Sequence, residues 1–343
     1  MNELEQLVRP NIRTLSPYST ARDECQGTPD IFLDANESPY PGTGFNRYPD
    51  PRQKKLKARI SALKDIPVEN LFLGNGSDEA IDLMFRIFCT PGQDNAIAIV
   101  PSYGMYQVAA DINDVQMRGV ALGPDFSLPV EELLAAADEH SKLLFLCSPN
   151  NPSGNAFEPS LIMELVERFQ GMVVLDEAYA DFSAKGSLRQ QVLQHPNLVV
   201  LQTVSKAYGM AGLRLGMAFA NAYVIDLMNR VKYPYNISEA AQKAVFRALK
   251  EPVLSRVAQI MVQRARLSSA FLRFPFVKKV WPSDANFLLV QVTDPDGLYQ
   301  HLLKDGIIVR NRSRVSGCAG CLRFTVGTPA ENDNLLKSLA SYE

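Results

Sequence analysis

The sequence predicts an α/β fold: a three-layer αβα large domain on a mostly parallel sheet, followed by a smaller α+β domain. Three observations predict it. From about Leu71, Val- and Leu-rich runs of strand length alternate with amphipathic stretches, the pattern of a parallel sheet covered on both faces. Beyond about Tyr223 that alternation stops, and a helical region is followed by short strands. At 343 residues the chain has room for about two domains.

The first 50 residues are rich in Pro, Asn, Asp and Tyr and poor in periodic apolar positions. They read as an extended arm packed on something rather than folded alone. A helix starts near Pro51, with Leu56, Ile60 and Leu63 on one face. Strands are expected over 96–100, 116–122, 142–147, 172–175, 198–204 and 215–220, with helices over 78–88, 130–138 and 159–169 between them. A long amphipathic helix over 253–271 precedes short strands over 277–281, 286–292, 307–309 and 322–326, and a helix from Glu331 finishes the chain. The implied division is 1–45 for the arm and part of the small domain, 46–240 for the large domain and 241–343 for the small one.

Composition narrows the function. Net charge is −2, so there is no basic footprint for nucleic acid or an anionic membrane. No apolar run approaches the roughly 20 residues that span a bilayer, and the N-terminal residues have no apolar core of signal-peptide length. A cytoplasmic protein with reduced cysteines is expected. Cys318 and Cys321 form one CxxC, without the second pair a zinc site needs and with a strand-like run after it where a redox motif would open a helix. Only His140, His195 and His301 are present, none in a motif. Histidine triads and histidine-rich metal sites are hard to build from that set. Any catalysis must therefore rest on lysine, carboxylate and tyrosine.

Five motifs supply such groups, each at the carboxyl end of an expected strand, where open α/β sheets bind ligands. In VVLQTVSKAYGMAGLRLG, Lys206 follows a buried strand. Desolvation disfavours its ammonium form, and a free amine there can attack an aldehyde to give a Schiff base. Ser205 and Arg214 flank it and suit a phosphate ester on the same ligand. These features together suggest pyridoxal phosphate. In LFLGNGSDEAIDLMF, the Gly74-Asn75-Gly76 turn opens a helix near Ser77, whose amides and dipole would receive a phosphate. It is neither GxGxxG nor a Walker loop. In LLFLCSPNNPSGNAF, a turn explains the prolines and the glycine but not two successive asparagines, and an Asn amide could donate to a phenolate oxygen. In MVVLDEAYADF, Asp176 is costly to bury without a cation, and a pyridinium nitrogen would be one; Tyr179 could reach the ring's other edge. In VPSYGMYQ, Tyr103 could stack on a flat ring. Alone, each has an ordinary explanation: a solvated lysine, a Ser N-cap, a turn, a capping Asp, a half-buried tyrosine. Convergence on one sheet edge is what the functional reading requires.

The order SYG, SPNNPSG, DEAY, SKAYGMAGLR resembles the fold-type I pyridoxal-phosphate aminotransferases. LDANESPYPG, NRYPDP, AYGMAGLRLG and LRFTVGT are similar to the histidinol-phosphate aminotransferase family within them. The resemblance runs from about Tyr18 to the last helix. It implies that Lys206 is the Schiff-base lysine and proton shuttle, and that Asp176 pairs with the pyridine nitrogen. Asn151 and Tyr179 would hold the phenolate oxygen, and Tyr103 would stack on the ring. Gly76, the Ser77 and Asp78 amides, Ser205 and Arg214 would bind the cofactor phosphate, together with Tyr48 from the neighbouring subunit of a homodimer with shared active sites. Arg323 would grip the substrate carboxylate or phosphate, with Tyr18, Asn36 and Arg310 as further substrate-side positions. The implied reaction moves an amino group between histidinol phosphate and 2-oxoglutarate, giving imidazole-acetol phosphate and glutamate, in histidine biosynthesis, without metal, nucleic-acid or membrane partners. A broader aromatic aminotransferase and a phospho-amino-acid decarboxylase of the same fold are the alternatives. Ser153 stands where the family usually has Thr, which keeps the hydroxyl; the CAGC pair has no counterpart in the resemblance.

Overall fold

Strand segments such as SKLLFLC and LVVLQT form because β-branched and leucine side chains fill a pleated surface that is buried on both sides. In the computed structural model, which describes residues 3–19, 22, 30–250 and 252–342, they build one seven-stranded sheet. Cys25 and residues 20–21 and 23–29 of the expected arm lie outside the described residues. The strands are β1 Leu71–Asn75, β2 Asn95–Val100, β3 Gln116–Ala121, β4 Ser141–Cys147, β5 Met172–Asp176, β6 Leu198–Thr203 and β7 Leu215–Phe219, in the order β1-β7-β6-β5-β4-β2-β3. β3, β2, β4, β5 and β6 are mutually parallel, and β7 runs antiparallel to both β6 and β1.

Alternation along each strand sorts its side chains onto two helical layers. Leu144, Leu146, Val173, Leu175 and Val200 enter one core with Leu56, Ile60, Leu133, Ile162 and Leu165. Leu143, Phe145, Val174, Val199 and Leu201 enter the other with Ile81, Phe85, Phe88, Tyr106, Val224 and Met228. Helices Lys54–Lys64, Val130–Ala135 and Pro159–Arg168 cover the first face, and Ser77–Phe88, Met105–Ile112 and Ala222–Val231 the second. The αβα sandwich is as expected. Topology brings the carboxyl ends of β1, β2, β4, β5 and β6 to one edge, and the reversed β7 contributes its amino end to the same edge.

A second sheet is antiparallel throughout: β8 Val277–Val280, β9 Phe287–Val292, β10 Arg310–Asn311 and β11 Cys321–Thr325, in the order β10-β11-β9-β8. Helices Leu254–Phe271, Pro295–Lys304 and Pro329–Ala340 cover it. Their shared core holds Leu267 and Phe271 from the first of these helices, Leu288 and Val290 from β9, Leu322 and Phe324 from β11, and Leu335 from the last helix.

The structure departs from expectation in a few places. The apolar run 307–309 is not a strand. The preceding helix ends through Gly306 at φ 75°, and the Ile307 N–H donates to the Leu302 carbonyl, so the chain leaves the helix before it can join β11. Ile308 is exposed, and pairing starts only at Arg310. The last helix starts two residues before Glu331, because Thr328 is its N-cap and Glu331 the N3 partner of a capping box. The helices Met105–Ile112 and Pro295–Lys304 were not among the expected elements. Near the N-terminus, short helices Glu3–Leu7 and Pro10–Arg13 and the link between them bury Leu4, Ile12 and Val8 in the second core of the large sheet, where extended chain was expected. Leu63 is exposed, while Leu56 and Ile60 on the same helix are buried as expected.

Candidate active site

At the shared strand edge lies a cavity of about 150 Å³. Each strand end sends something into it. Gly76, Ser77 and Asp78 come from the turn after β1, Tyr103 from beyond β2, Cys147 and Asn151 from the end of β4, and Asp176, Ala178 and Tyr179 from β5. Thr203, Ser205 and Lys206 come from β6, and Ala211 and Arg214 from the loop before β7.

Asp176 is buried, and its oxygens accept from Tyr106 Oη at 2.9 Å and the Ala178 N–H at 3.0 Å. Burial pushes its carboxyl up to about 6, against the two hydrogen bonds, which pull the other way. Neither bond supplies a positive charge. A cationic group on the cavity side is what would let this carboxylate ionise fully. Lys206 lines the same cavity, its Nζ 5.6 Å from the centre of the Tyr179 ring. Desolvation by the walls, with Arg323 adding like charge, holds its amine below the ordinary lysine value. Burial drives the Tyr179 and Tyr103 phenols up, so both remain hydroxyl donors.

The turn between β1 and the helix Ser77–Phe88 has the shape of an anion cradle. Gly76 takes φ 75°, and a Cβ there would stand 2.6 Å from Arg214 Nη2. Its N–H donates to the Arg214 carbonyl at 3.0 Å. Gly216 is forced by the same approach: a Cβ would collide with the Gly76 carbonyl carbon and the Ser77 nitrogen. The Asp78 carboxylate accepts from Tyr103 Oη at 3.0 Å and from Arg214 Nη2 at 3.2 Å, which ties the three together. Thr203 Oγ1 bonds Ser205 Oγ at 3.0 Å and positions that hydroxyl.

The two asparagines divide their work. Asn150 is fully buried and braces the loop through Ser102, Ser153 and the Pro101 carbonyl. Asn151 lines the cavity, and its Oδ1 accepts from Arg323 Nη1. A guanidinium only donates, so the Asn151 Nδ2 hydrogens remain to donate elsewhere. The Arg323 guanidinium lies 5.1 Å from the Phe287 ring centre and reaches the cavity through Asn151.

The structure thus gathers Gly76, Ser77, Asp78, Tyr103, Asn151, Asp176, Tyr179, Ser205, Lys206 and Arg214 around one cavity, with Arg323 at its border. Tyr48, Asn36, Tyr18 and Arg310 lie elsewhere. Tyr48 and Asn36 line a groove of about 1070 Å³ that touches the cavity only through Arg214. Glu37 and Arg22 hold the Tyr48 backbone, and its ring stacks on Tyr235 at 4.4 Å. Tyr18 is largely exposed, and Arg310 lines a third groove beside Arg323. The sequence reading missed Tyr106. Tyr106, Ala109 and Ala110 recur at helical spacing, which marks a buried helix face but not a partner for Asp176. The CAGC pair is also accounted for. Cys318 and Cys321 are buried against Phe126 and Leu289, with thiols pushed up to about 12 and about 11, so they serve as core. Among the described residues no cluster could hold a metal ion, and no helix is long and apolar enough to cross a membrane.

The donor set fits a flat ring carrying an aldehyde, a basic nitrogen and a phosphate: a desolvated amine, a buried carboxyl short of a cation, and a glycine-lined cradle closed by Arg214. This fold and site go with the family match: a model of the class I and II aminotransferases covers residues 23–339, and the chain belongs to that family. Within it, the similarity is to the histidinol-phosphate aminotransferases. That of Parabacteroides distasonis is 51% identical over 341 residues, 99% of either chain, and that of Bacteroides fragilis is 50% identical over 346 residues, 100% of either. The crystal structure of histidinol-phosphate aminotransferase from Sinorhizobium meliloti, in complex with pyridoxal-5'-phosphate, has the same fold, with a TM-score of 0.80 over 90% of each chain at 21% identity.

Proposed function

We propose that this chain is a transaminase that uses pyridoxal phosphate to interconvert L-histidinol phosphate plus 2-oxoglutarate and imidazole-acetol phosphate plus L-glutamate. The observation that carries the reading is one cavity lined by the Lys206 amine, the Asp176 carboxyl and the Gly76–Arg214 cradle. When bound, pyridoxal phosphate supplies an aldehyde carbon that takes up amines and a ring that stabilises negative charge beside it. The chain's residues supply the rest. Asp176 would keep a proton on the ring nitrogen. Tyr179 and the Asn151 amide would donate to the ring oxygen. The Ser77 and Asp78 amides, Ser205 and Arg214 would hold the phosphate, and Tyr103 would stack on the ring. Lys206, with its depressed pKa, would take the proton from the substrate α-carbon and deliver it to the aldehyde-derived carbon on the far side of the shared nitrogen. Arg323 and Arg310 receive the substrate anions, because a guanidinium donates to carboxylate and phosphate alike in bidentate fashion.

The same reading makes the protein a cytoplasmic homodimer in which Tyr48 serves the partner's site, with Tyr18 and Asn36 as substrate-side positions. Its support is an arm that leaves Ile31, Leu33, Tyr40, Phe45 and Tyr48 exposed, apolar surface of the kind a second copy covers. Residues 46–240 and 241–343 are taken as the two domains. Lys206→Ala should abolish turnover and the visible absorption of the loaded protein, and a variant that keeps both overturns the assignment. Turnover of phenylalanine-like donors in preference to histidinol phosphate would favour the aromatic alternative, and release of carbon dioxide the decarboxylase.

A further inference from the structure

Beyond the cavity, the second sheet carries a cluster of positive charge that the residues around it do not neutralise. β10 and β11 pair so that Arg310 lies opposite Arg323. The ladder continues one residue further, where the Arg312 N–H donates to the Cys321 carbonyl at 2.8 Å. Side chains two apart on a strand share a face, and directly opposed residues share it too. Arg310, Arg312 and Arg323 therefore stand on one face, while the Asn311 amide binds Asp296 at 2.7 Å. The three arginines line a groove of about 580 Å³. Asp296 is the one carboxylate of its lining, and its Oδ1 is engaged by Asn311.

Among the described residues none of the three makes an ion pair. Like charges at this spacing repel. Arg312 Nε and Arg323 Nε are both buried without a hydrogen-bond partner. Buried donors are rarely left unpaired, and two charged ones on one sheet face call for an acceptor that comes from outside. Burial holds the Arg312 guanidinium below its ordinary value, and Arg323 and Arg310 add to the effect. Arg323 on this face donates to Asn151 of the cavity, so the face adjoins it. The ligand must be an anion with several acceptor oxygens and more than one negative charge. A phosphate monoester meets both conditions at the least size, and a single carboxylate does not.

We propose that Arg312 is a specificity-determining residue: with Arg310 and Arg323 it completes a three-guanidinium subsite that favours a dianionic phosphate ester over a carboxylate. The inference rests on the transaminase reading above and deepens it. Arg312 is placed to act on the substrate's phosphate and not on the reacting carbon, so kcat for a substrate lacking phosphate should not depend on it.

The test compares histidinol phosphate with histidinol, and glutamate as the other donor, in wild type and Arg312→Leu. Loss of a charged hydrogen-bonding partner predicts a fall of about ten- to a hundredfold in kcat/KM for histidinol phosphate. Histidinol and glutamate should stay within about threefold, by the additivity expected of groups that do not touch. An equal fall for all three substrates means a structural role only and overturns the proposal, as does no fall at all. Should Arg312→Leu not fold, Arg312→Lys carries the test. It keeps the charge but loses the fork, so it must lose affinity for the phosphate substrate alone; behaviour like wild type overturns the proposal. Calorimetric titration of the loaded enzyme with inorganic phosphate is the second readout, with weaker binding expected in the variant and unchanged binding contradicting it. A wild type that does not turn over histidinol phosphate would sink the substrate reading by itself, while the phosphate titration would still decide the role of Arg312.

Discussion

A carboxyl buried like that of Asp176 costs the ligand-free protein stability. Its value in the folded chain is about 6 against 3.8 ordinarily, so the folded chain holds this proton more tightly than the unfolded one. The contribution to stability is therefore greatest at low pH, falls as pH rises from 3.8 through about 6, and ends on the order of 3 kcal/mol lower. Asp176→Asn should then melt higher than wild type at neutral pH without cofactor, with the difference closing as pH falls below about 5, while cofactor affinity drops. Scanning calorimetry across pH checks this; a variant less stable than wild type at neutral pH contradicts it. Tyr106 acts through Asp176. Tyr106→Phe keeps the ring that stacks on Phe145 and removes only the donor. The carboxyl should then titrate higher than about 6, and cofactor should bind about tenfold more weakly, as read from absorbance titrations over pH. Asp176 was legible because an acid directly after four apolar strand residues is out of place. Tyr106 was not, since a tyrosine at helical spacing reads equally well as core.

The central strands and their order of appearance were legible because they are β-branched or leucine runs bounded by turn residues, as in 198–203. The sequence did not show that β7 is reversed. Antiparallel pairing with both neighbours depends on the short connection 204–214 folding back, which local pattern does not encode. That reversal matters, because it sets Arg214 beside the turn after β1. The 307–309 segment failed for the opposite reason: its composition suits a strand, but the helix end before it decides its direction. At this scale Gly216 is the sensitive point. Gly216→Ala would drive a methyl into the Gly76–Ser77 backbone, which cannot yield as a flexible side chain can. We expect a loss of about 2 kcal/mol or more and a cradle that binds cofactor poorly, measured by melting and by cofactor titration. Native-like values for both would show that the two turns are not locked together.

Seen whole, the single chain gathers ten of the expected site residues but leaves Tyr48 on an outward face, in a separate groove. The motif NRYPDP pointed to a partner's site only through family resemblance; nothing in its pattern reveals which copy it serves. Mixing Tyr48→Ala and Lys206→Ala chains tests the sharing. In a mixed dimer one site would combine an intact Lys206 with an intact Tyr48. If each parent is inactive or weak, random reassortment should restore about a quarter of wild-type activity. No recovery after subunit exchange, verified by a tag on one chain, would mean that Tyr48 serves its own subunit or none.

Lys206 and Arg214 stand at the two ends of one loop, 207–213, and both face the same cavity. A ligand joined to the first and ion-paired with the second turns that loop into a closed ring, part polypeptide and part cofactor. The cofactor would then also be a removable staple, and amines that compete for its aldehyde would loosen the fold at the spot where they react.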